Sequence, residues 1–408
     1  MSSGNLSSNP RLVKEADALH QAGYDVTTIV CDYTEALKPF DDEIANGAPW
    51  KVIRLPRDRS ERYITAAARP VAQVLAASGM PVPLPVASHA YGGPAHALRR
   101  AAAAVAADLY IAHYIPALPA AAAAARRHRA LLGFDAEDLH SGEAVDDLTD
   151  SAQPKLVMRI EQAYLPACTC VTASSPMIGD AYAACYGVNP RTVLNVFSKT
   201  MAAPVEAAAG EAREPGHLAV YWFSQTIGLD RGLQEFMRAM ARAKAKVSLD
   251  VRGSNRWGHG DTLMAFARDL GVAERVQLLP TAAPDQMVKL ATTYDLGLSL
   301  EIGNSPNKRA CLGNKIFTYL LAGVPVMVSD TPAQRAFALE LGSAAAVASV
   351  SDPEDIARTL DRLAASSDTL ADAKATAWRL ADRRYNWEVE QKALVEEVGS
   401  AFTRHAGR

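Results

Sequence analysis

The sequence predicts an α/β protein made of two consecutive doubly wound units, each a parallel β-sheet with helices on both faces. Short apolar segments rich in β-branched residues alternate with segments of helical periodicity along the whole chain. The alternation is interrupted once, at residues 198–216, where Ala, Glu, Pro and Gly dominate and no apolar face recurs. The length of 408 residues also exceeds what one ordinary hydrophobic core supports.

The first half opens with a helix at 10–22, whose apolar stripe ends at Gly23. Strands are then predicted at 26–31, 51–55, 109–112, 131–134, 168–173 and 192–196. Ser175 and Pro176 begin a further helix, with a capping side chain followed by proline. Residues 1–9 resemble a strand-to-helix loop, so we expect the first strand of this domain to be missing, which would leave backbone groups of its neighbours unpaired.

The second half repeats the pattern. Strands are predicted at 218–223, 247–251, 276–279, 296–300, 324–328 and 345–348. Helices are expected to begin after Asp230, Asp261, Asp285 and Lys315, at Thr331-Pro332 and at Asp352-Pro353. We therefore predict a Rossmann-like N-terminal domain at 1–197, a linker at 198–216 and a Rossmann-like C-terminal domain at 217–385. A terminal helix at about 386–408 would return to brace the first domain, and ligands would bind in a central cleft at the carboxyl ends of the strands.

The composition favours a cytoplasmic protein. Apolar residues make up 49% and charged residues 21% of the chain, and the net charge of −3 gives no reason to expect a nucleic-acid partner. Five cysteines, an odd number set mostly in apolar segments, are typical of reduced thiols. The first residues are polar and uncharged, unlike a signal peptide. The alanine-rich segment 101–125 contains Asp108 and two prolines, so it is not expected to span a membrane.

The segment 314–326 carries the clearest functional pattern. It consists of Asn314 and Lys315, an apolar helix, Gly323 and an apolar strand. A helix N-terminus that presents backbone amides beside a lysine is a natural seat for a phosphate group.

With these elements in place, the chain resembles the retaining glycosyltransferases of family 4, which have the GT-B fold, apart from the absent first strand. The matching segments are 9–18, 107–113, 135–139, 195–196, 231–233 and 314–325. The resemblance implies that a nucleotide-diphosphate sugar binds mainly to the C-terminal domain and that the acceptor binds to the N-terminal domain. It implies no cofactor, and we expect no metal.

On the donor side, the resemblance places Arg231 and Lys315 at the diphosphate, where cations would stabilise the leaving group. The alternative is that both are solvated surface charges. Thr226 stands where the family has an arginine, which leaves Ser224 as a neutral donor. Ala310 and Thr318 occupy the positions of the family's acidic pair, so Glu301 would supply the ribose carboxylate, unless it is a solvated loop residue. Gly4, Asn5 and Gly253 would leave room for the diphosphate and the nucleotide, although Gly253 is also typical of a simple turn.

On the acceptor side, His113 matches the family's histidine near the transferred sugar, where it would hydrogen-bond a hydroxyl group. A buried structural histidine is the alternative. Asp138 would orient the acceptor hydroxyl or accept its proton, with Glu137 and His140 beside it. The alternative for this polar segment is a helix cap.

The predicted function is transfer of a sugar from a nucleotide-diphosphate sugar to a hydroxyl of a glycan or lipid-linked acceptor, with retention, in cell-envelope polysaccharide biosynthesis. The alternatives are a non-catalytic GT-B scaffold and an epimerase-type GT-B enzyme. A basic face on the first domain would attract an anionic membrane at roughly 1 kcal/mol per residue and place the protein at the inner face of the membrane. The basic residues are Arg54, Arg57, Arg59, Arg62, Arg69, Arg99, Arg100, Arg126, Arg127 and Arg129. Ordinary solvated faces are the other interpretation.

Overall fold

The computed structural model describes residues 1–58, 60–146, 152–202, 214 and 216–406. These residues form two compact units. Unit 1 comprises Met1–Leu194, Ser305–Asn307 and Gln391–Arg408, and unit 2 comprises Asn195–Asn304 and Lys308–Glu390. Most of the predicted linker, at 203–213 and 215, and the predicted basic residue Arg59 lie outside the described residues.

Unit 1 contains two parallel sheets. Its strands are β1 (Thr27–Asp32), β2 (Lys51–Pro56), β3 (Leu109–His113), β4 (Leu131–Ala136), β5 (Cys170–Ala173) and β6 (Arg191–Thr192). β1 pairs with β2, and the second sheet has the order β3-β4-β5-β6. Since all pairs are parallel, the carboxyl ends of neighbouring strands meet at one edge.

Residues Met1–Gly4 lie between β1 and β3. Ser2 donates its backbone N–H to Ile29, and Cys31 donates to Gly4, at 2.9 and 3.1 Å. On the other side, His113 donates to Met1 at 2.8 Å, and Ser2 and His113 form a parallel bridge. The expected loss of backbone partners is therefore wrong for this edge of the sheet, although the described residues contain no full strand at this position.

The helices of unit 1 cover the two sheets. They are α1 (Pro10–Gln21), α2 (Lys38–Gly47), α3 (Glu61–Ala77), α4 (Leu84–Tyr91), α5 (Ala95–Ala104), α6 (Leu118–His128), α7 (Ala152–Tyr164) and α8 (Pro176–Tyr186). Asn9 caps α1 by accepting the Leu12 N–H at 3.0 Å, and Ser175 caps α8 in the same way, as the sequence predicted. The helices α2 to α5 were not predicted, since Pro70 interrupts α3 and short alanine-rich segments show little periodicity.

Unit 2 is a doubly wound parallel sheet of six strands. The strands are β7 (His217–Thr226), β8 (Lys246–Ser254), β9 (Val276–Leu279), β10 (Leu296–Ser299), β11 (Val326–Ser329) and β12 (Ala345–Ala348). Their order is β12-β11-β10-β7-β8-β9. The order reverses between β7 and β10, and the crevice at the carboxyl ends of two such strands is where doubly wound sheets bind ligands.

The helices of unit 2 follow the predicted alternation. They are α9 (Leu233–Met240), α10 (His259–Asp269), α11 (Met287–Ala291), α13 (Asn314–Leu321), α14 (Pro332–Leu341), α15 (Pro353–Ala364) and α16 (Ser367–Arg383). Two helices extend across the division between the units, α12 (Pro306–Ala310) and α17 (Trp387–Ala406). The predicted start of α10 after Asp261 is wrong, because Gly258, in a left-handed conformation, precedes the first turn at His259.

No helix in the described ranges combines the length and the apolar character needed to cross a lipid bilayer. The alanine-rich segment 101–125 instead forms the end of α5, strand β3 and most of α6, and nearly all the alanines of α6 are buried in unit 1.

Gly297 in β10 gives a stability prediction. A Cβ atom at this position would lie only 2.3–2.4 Å from three ring carbons of Tyr319, which is fully buried and held by a hydrogen bond from its hydroxyl to Tyr221 O at 2.9 Å. We expect Gly297→Ala to destabilise unit 2 by about 1–3 kcal/mol, because the ring has no free space to move into. Chemical denaturation followed by circular dichroism measures the change. Gly47→Ala, where a Cβ meets no atom within 4 Å, is the control, and equal stability of the two variants would contradict the prediction.

Candidate active site

Unit 1 contains a buried ion pair at the carboxyl edge of its sheet. Arg11, in the first turn of α1, contacts both carboxylate oxygens of Asp135 near the end of β4, at 2.7 and 2.8 Å. Arg11 also donates to Val193 O at 2.8 Å, and Thr172 on β5 donates its hydroxyl to Asp135 at 2.6 Å. The pair joins α1 to three neighbouring strand ends.

His113 completes this cluster. Its Nδ1 lies 3.3 Å from an Asp135 oxygen and its Nε2 lies 3.4 Å from a Glu15 oxygen. The histidine is only 5% exposed, so the ring predicted to contact the sugar is enclosed by two carboxyl groups. Its contact with a sugar therefore stays a prediction.

Sequence reasoning missed Arg11 and Glu15. The available signal was their spacing of four residues on the same side of α1 as the apolar Leu12 and Ala16, all four of which are buried. Charged side chains on a buried helix face are rarely found unless they are paired.

The pKa shifts give this cluster a definite protonation state. Burial and the Asp135 charge raise the pKa of Glu15 to about 8. Burial lowers the pKa of His113 despite the neighbouring Asp135. Burial alone would raise the pKa of Asp135, but the Arg11 guanidinium and His113 hold it well below its usual range. At pH 7 the cluster therefore contains one cation, one anion, a neutral histidine and a protonated Glu15.

Glu15, His113 and Asp135 have a spacing that is typical of metal ligands. Ligand atoms of Glu15, His113 and Asp135 lie within 4.8 Å of one another. The Arg11 guanidinium, however, already occupies both Asp135 oxygens and lies 3.2 Å from Glu15. A divalent cation would face that positive charge at close range, so the arrangement does not fit a metal.

The loop after β4 carries the other predicted acceptor-side residues. Burial raises the pKa of Glu137 to about 7, and the hydroxyl of Tyr114 hydrogen-bonds this carboxylate. Tyr114 directly follows β3 with φ 66° and ψ 152°, a conformation rare for any residue but glycine. Such strained residues are concentrated at functional sites.

Asp138 is half-buried and is held by Asn307. The Asn307 side chain donates to an Asp138 oxygen at 2.9 Å and accepts the Leu139 N–H at 2.9 Å. Asn307 belongs to the three-residue segment Ser305–Asn307 of unit 1, which lies 168 positions along the chain from Leu139. No sequence pattern links such distant residues, so Asn307 could not have been found from the sequence.

His140 is buried rather than directed to solvent. Its Nδ1 lies 2.7 Å from a Glu143 oxygen, and its ring meets those of Tyr114 and Phe134 edge-on. Burial would lower the pKa of His140, but the Glu143 carboxylate raises it overall. His140 is thus a histidine that protonates more readily than usual.

The side chain of Asn5 is engaged within unit 1, and the approach of the Gly4-Asn5 backbone to a diphosphate stays a prediction. The side-chain amide of Asn5 donates to Asp41 at 2.6 Å and to Thr34 O at 3.2 Å, and its oxygen accepts the Thr34 N–H at 2.7 Å. Asn5 is 2% exposed and ties the start of the chain to the loop before α2. Gly4 lies in the same segment and accepts the Cys31 N–H through its carbonyl.

In unit 2, three of the predicted donor-side residues lie together. Lys315, in the first turn of α13, is half-buried with its Nζ 5.5 Å from the centre of the Trp222 ring. Burial lowers the pKa of Lys315, the Glu301 carboxylate opposes this shift, and Arg231 adds to it. These three charges are therefore close enough to influence one another.

Two of these groups have unused hydrogen-bonding atoms. Within the described residues, the buried Glu301 Oε2 and Arg231 Nε have no hydrogen-bond partner. Arg231 does form an ion pair with Asp230 at 3.4 Å. Buried polar atoms without partners are uncommon in proteins and often mark a place where a ligand binds.

The other predicted donor-side residues are placed differently. The Thr318 hydroxyl is buried and donates to Asn314 O at 3.4 Å inside α13, so it is not directed at a ligand.

Gly253 lies within β8, and a Cβ there would come within 2.9 Å of the Ser224 carbonyl on β7. The glycine thus permits close approach of two strands, and its interpretation as a residue after the strand is wrong. Asn314 is exposed at the start of α13.

Comparison with known proteins finds a family model that matches the first part of the chain. Residues 8–196 match the model described as a glycosyl transferase 4-like domain. A search of curated proteins finds no significant match.

Solved structures show that the whole chain has the GT-B fold. Anabaena HepE in complex with UDP and glucose matches 96% of this chain and 95% of its own, with a TM-score of 0.68 and 16% identity. Sucrose-phosphate synthase from Thermosynechococcus elongatus matches 97% and 94%, with a TM-score of 0.68 and 12% identity. The galactosyltransferase WaaB of the lipopolysaccharide outer core, in its apo form, matches 97% and 96%, with a TM-score of 0.61 and 11% identity. The predicted resemblance to family 4-like GT-B glycosyltransferases is confirmed.

The buried cluster of unit 1 gives a pH prediction. Because the pKa of Glu15 is raised to about 8 in the folded protein, its protonated form stabilises the fold below pH 4.5, and this contribution is lost as the pH rises towards 8. We expect the free energy of unfolding of the wild type to fall relative to that of Glu15→Gln by about 1.4 kcal/mol per pH unit across this window. Urea denaturation at pH 5, 6, 7 and 8 measures the difference.

The exposed Glu43→Gln in α2 is the matched control, and it should follow the wild type at every pH. The charged groups near Glu15, which are Arg11, Lys14, Asp135 and Glu137, are present in all three proteins. Parallel pH curves for wild type and Glu15→Gln would show that Glu15 is ionised in the folded state.

Proposed function

We propose, from the match of residues 8–196 to a glycosyl transferase 4-like domain and the GT-B fold of the chain, that this protein transfers a sugar from a nucleotide-diphosphate sugar to a hydroxyl group. The acceptor would be a glycan or a lipid-linked intermediate, and the anomeric configuration would be retained. The observation that carries the proposal is the group formed by Arg231, Glu301 and Lys315 in unit 2.

This group lies where the strand order of unit 2 reverses. Trp222, beneath the Lys315 ammonium, is on β7, and Glu301 follows β10, the two strands that flank the reversal. Ligands of doubly wound sheets bind at this position. Two cations would oppose the charge that develops on the diphosphate as the sugar bond breaks, while the free Glu301 oxygen would accept a hydroxyl of the ribose or sugar.

The solved relatives support a uridine nucleotide. HepE structures contain UDP, UDP with glucose, or UDP-glucose. We extend this to the present chain and take UDP as the first nucleotide to test. The proposal includes no metal, since the cations of the chain itself would neutralise the diphosphate.

On the acceptor side, residues of the loop after β4 would orient the acceptor hydroxyl and accept its proton. Asn307 holds the Asp138 carboxylate in one orientation, as an acceptor-positioning group requires. Glu137, with a pKa raised to about 7, is poised to accept a proton near neutral pH. The proposed sugar transfer would take place in the cytoplasm. It would occur at the inner face of the membrane when the acceptor is lipid-linked, and it would be a step of cell-envelope polysaccharide synthesis.

A second candidate is a GT-B protein that binds the donor without transferring its sugar. The observation in its favour is Thr318, whose buried hydroxyl is used within α13 where the family has a carboxylate. Both candidates require nucleotide binding, and only the first requires turnover.

Lys315→Ala tests the donor site. We expect the dissociation constant of UDP to rise about five- to tenfold, because the alanine removes a charge near the diphosphate worth about 1–1.4 kcal/mol. Isothermal titration calorimetry gives the constant. Lys289→Ala, which removes an exposed lysine on α11, is the control and should bind UDP as the wild type does. An unaltered constant in Lys315→Ala would remove this residue from the site.

Turnover and stereochemistry are tested with UDP-glucose and water as acceptor. We expect slow release of UDP, and proton NMR taken early should show α-glucose before it mutarotates, because retention keeps the configuration of the donor. The rate should be the same with and without a chelator. Binding of UDP without any release from UDP-glucose, with water or with a panel of glycans, would favour the non-catalytic candidate, and β-glucose as the first product would refute retention.

A further inference from the structure

Unit 1 contains a cavity of 540 Å³ beside the carboxyl ends of β1 and β2. Its walls come from the end of β1 and the residues after both strands, from the first three turns of α3, and from the end of α4 with the loop that follows it. We call it the arginine cavity, because Arg57, Arg62 and Arg69 line it. Its volume lies in the range of small-molecule sites, which is about 300–1,000 Å³.

The three guanidinium groups are positioned but not neutralised. Arg57 stacks on the Tyr33 ring at 4.8 Å, Arg62 stacks on the Tyr63 ring at 4.6 Å, and Arg69 donates to Ala90 O at 3.2 Å. Across the described residues, none of the three has a carboxylate within ion-pair distance. A stacked guanidinium keeps its charge and its planar set of donors, which match the oxygens of a phosphate group.

Two carboxylates also line the cavity, and each accepts a hydrogen bond from a backbone N–H group. Asp58 accepts the Ser60 N–H at 2.8 Å, and Glu61 accepts the His96 N–H at 2.8 Å. The hydrogen bonds from Ser60 lower the pKa of Asp58, so this group is anionic. Glu61 is buried, with 7% exposure, whereas the three arginines are exposed. The three positive charges and Asp58 are therefore accessible to a ligand entering the cavity, whereas Glu61 is not.

The cavity adjoins the predicted acceptor-side residues. Gly92 and Gly93 form one wall with φ of 96° and 102°, and a Cβ on Gly93 would lie 2.8 Å from Pro116, three positions after His113. Only glycine allows this close approach in such a conformation. Tyr91 lies in the same wall. Burial raises the pKa of Tyr91 to about 12, and the nearby Glu143 charge adds to this shift. Glu143 in turn contacts His140.

We propose that the arginine cavity binds the phosphate group of a phosphorylated acceptor, such as a sugar or polyol carrying a phosphate ester. This inference rests on the proposed transferase function and specifies its acceptor. The phosphate would contact Arg57, Arg62 and Arg69, and the rest of the acceptor would extend past Gly93 towards the loop of Glu137 and Asp138.

The test compares glucose 6-phosphate with glucose, two probes that differ only in the phosphate. Binding is measured by calorimetry with UDP present at saturation, so that the phosphate cannot occupy the donor site. We expect glucose 6-phosphate to bind at least about tenfold more tightly than glucose, since charge-assisted hydrogen bonds to phosphate are the strong ones. The double variant Arg62→Gln/Arg69→Gln should lose most of this difference and keep the UDP affinity of the wild type.

The matched control is Arg126→Gln/Arg127→Gln. It removes the same charge from exposed arginines at the end of α6, a helix that starts after β3 and therefore ends at the opposite edge of the sheet. This control should retain the preference for glucose 6-phosphate. If the double variant in the cavity does not fold, Arg57→Gln, which loses only a stacking contact, should weaken glucose 6-phosphate binding by about threefold or more.

The outcomes separate the two proposals. Failure of the wild type to bind UDP would refute the donor site, whatever the cavity does. Normal UDP binding with no preference for glucose 6-phosphate, or an equal loss in the α6 control, would overturn the arginine cavity as a phosphate site.

Vesicles of phosphatidylglycerol and phosphatidylcholine distinguish a lipid phosphate from a soluble one. If the cavity variant loses both vesicle co-sedimentation and glucose 6-phosphate binding, the phosphate site is supported and is also reached by lipids. If it loses glucose 6-phosphate binding alone, the site is supported for soluble acceptors. If it loses only the vesicles, the arginines form a membrane surface and the cavity proposal fails.

Discussion

The ion pair between Arg11 and Asp135 is the interaction on which unit 1 depends. It is fully buried and joins α1 to the ends of β4, β5 and the segment after β6, and it lies in contact with His113 and Glu15. Loss of either partner would leave an uncompensated charge in the core, which typically costs 3–5 kcal/mol. The edge of the sheet that carries the predicted catalytic loop is therefore held by charge as well as by apolar packing.

The fold could be predicted from the sequence to a large extent, because each strand of unit 2 is an apolar segment followed by a recognisable helix start. Asp352-Pro353, for example, begins α15 with a capped first turn, as expected. The region between β2 and β3 could not be predicted, since α3 contains Pro70 and α4 and α5 are short. This region forms most of the wall of the arginine cavity, so the sequence grouped Arg57, Arg62 and Arg69 only within a basic face and did not indicate a cavity.

The candidate site was predicted in part. Lys315, Arg231 and Glu301 are brought together, because Arg231 and Glu301 follow the neighbouring strands β7 and β10 and Lys315 lies in a helix between β10 and β11. The side chains of Asn5 and Thr318 already form hydrogen bonds, to Asp41 and to the Asn314 carbonyl, and a residue's position in a motif does not reveal such contacts. Arg11, Glu15 and Asn307 depend on contacts between distant parts of the chain, which a single sequence does not show.

Tyr114 makes two side-chain contacts in the acceptor-side loop at the cost of a strained backbone. Its backbone conformation is one that glycine would adopt freely, and strain of this kind costs about 1–3 kcal/mol. Its ring packs edge-on against His140 and its hydroxyl donates to Glu137, so a glycine would relax the backbone and abolish both contacts. The chain thus gives up stability to keep an aromatic donor between the acidic and the imidazole groups of this loop, and through Tyr114 both groups are in contact with the residue that directly follows β3.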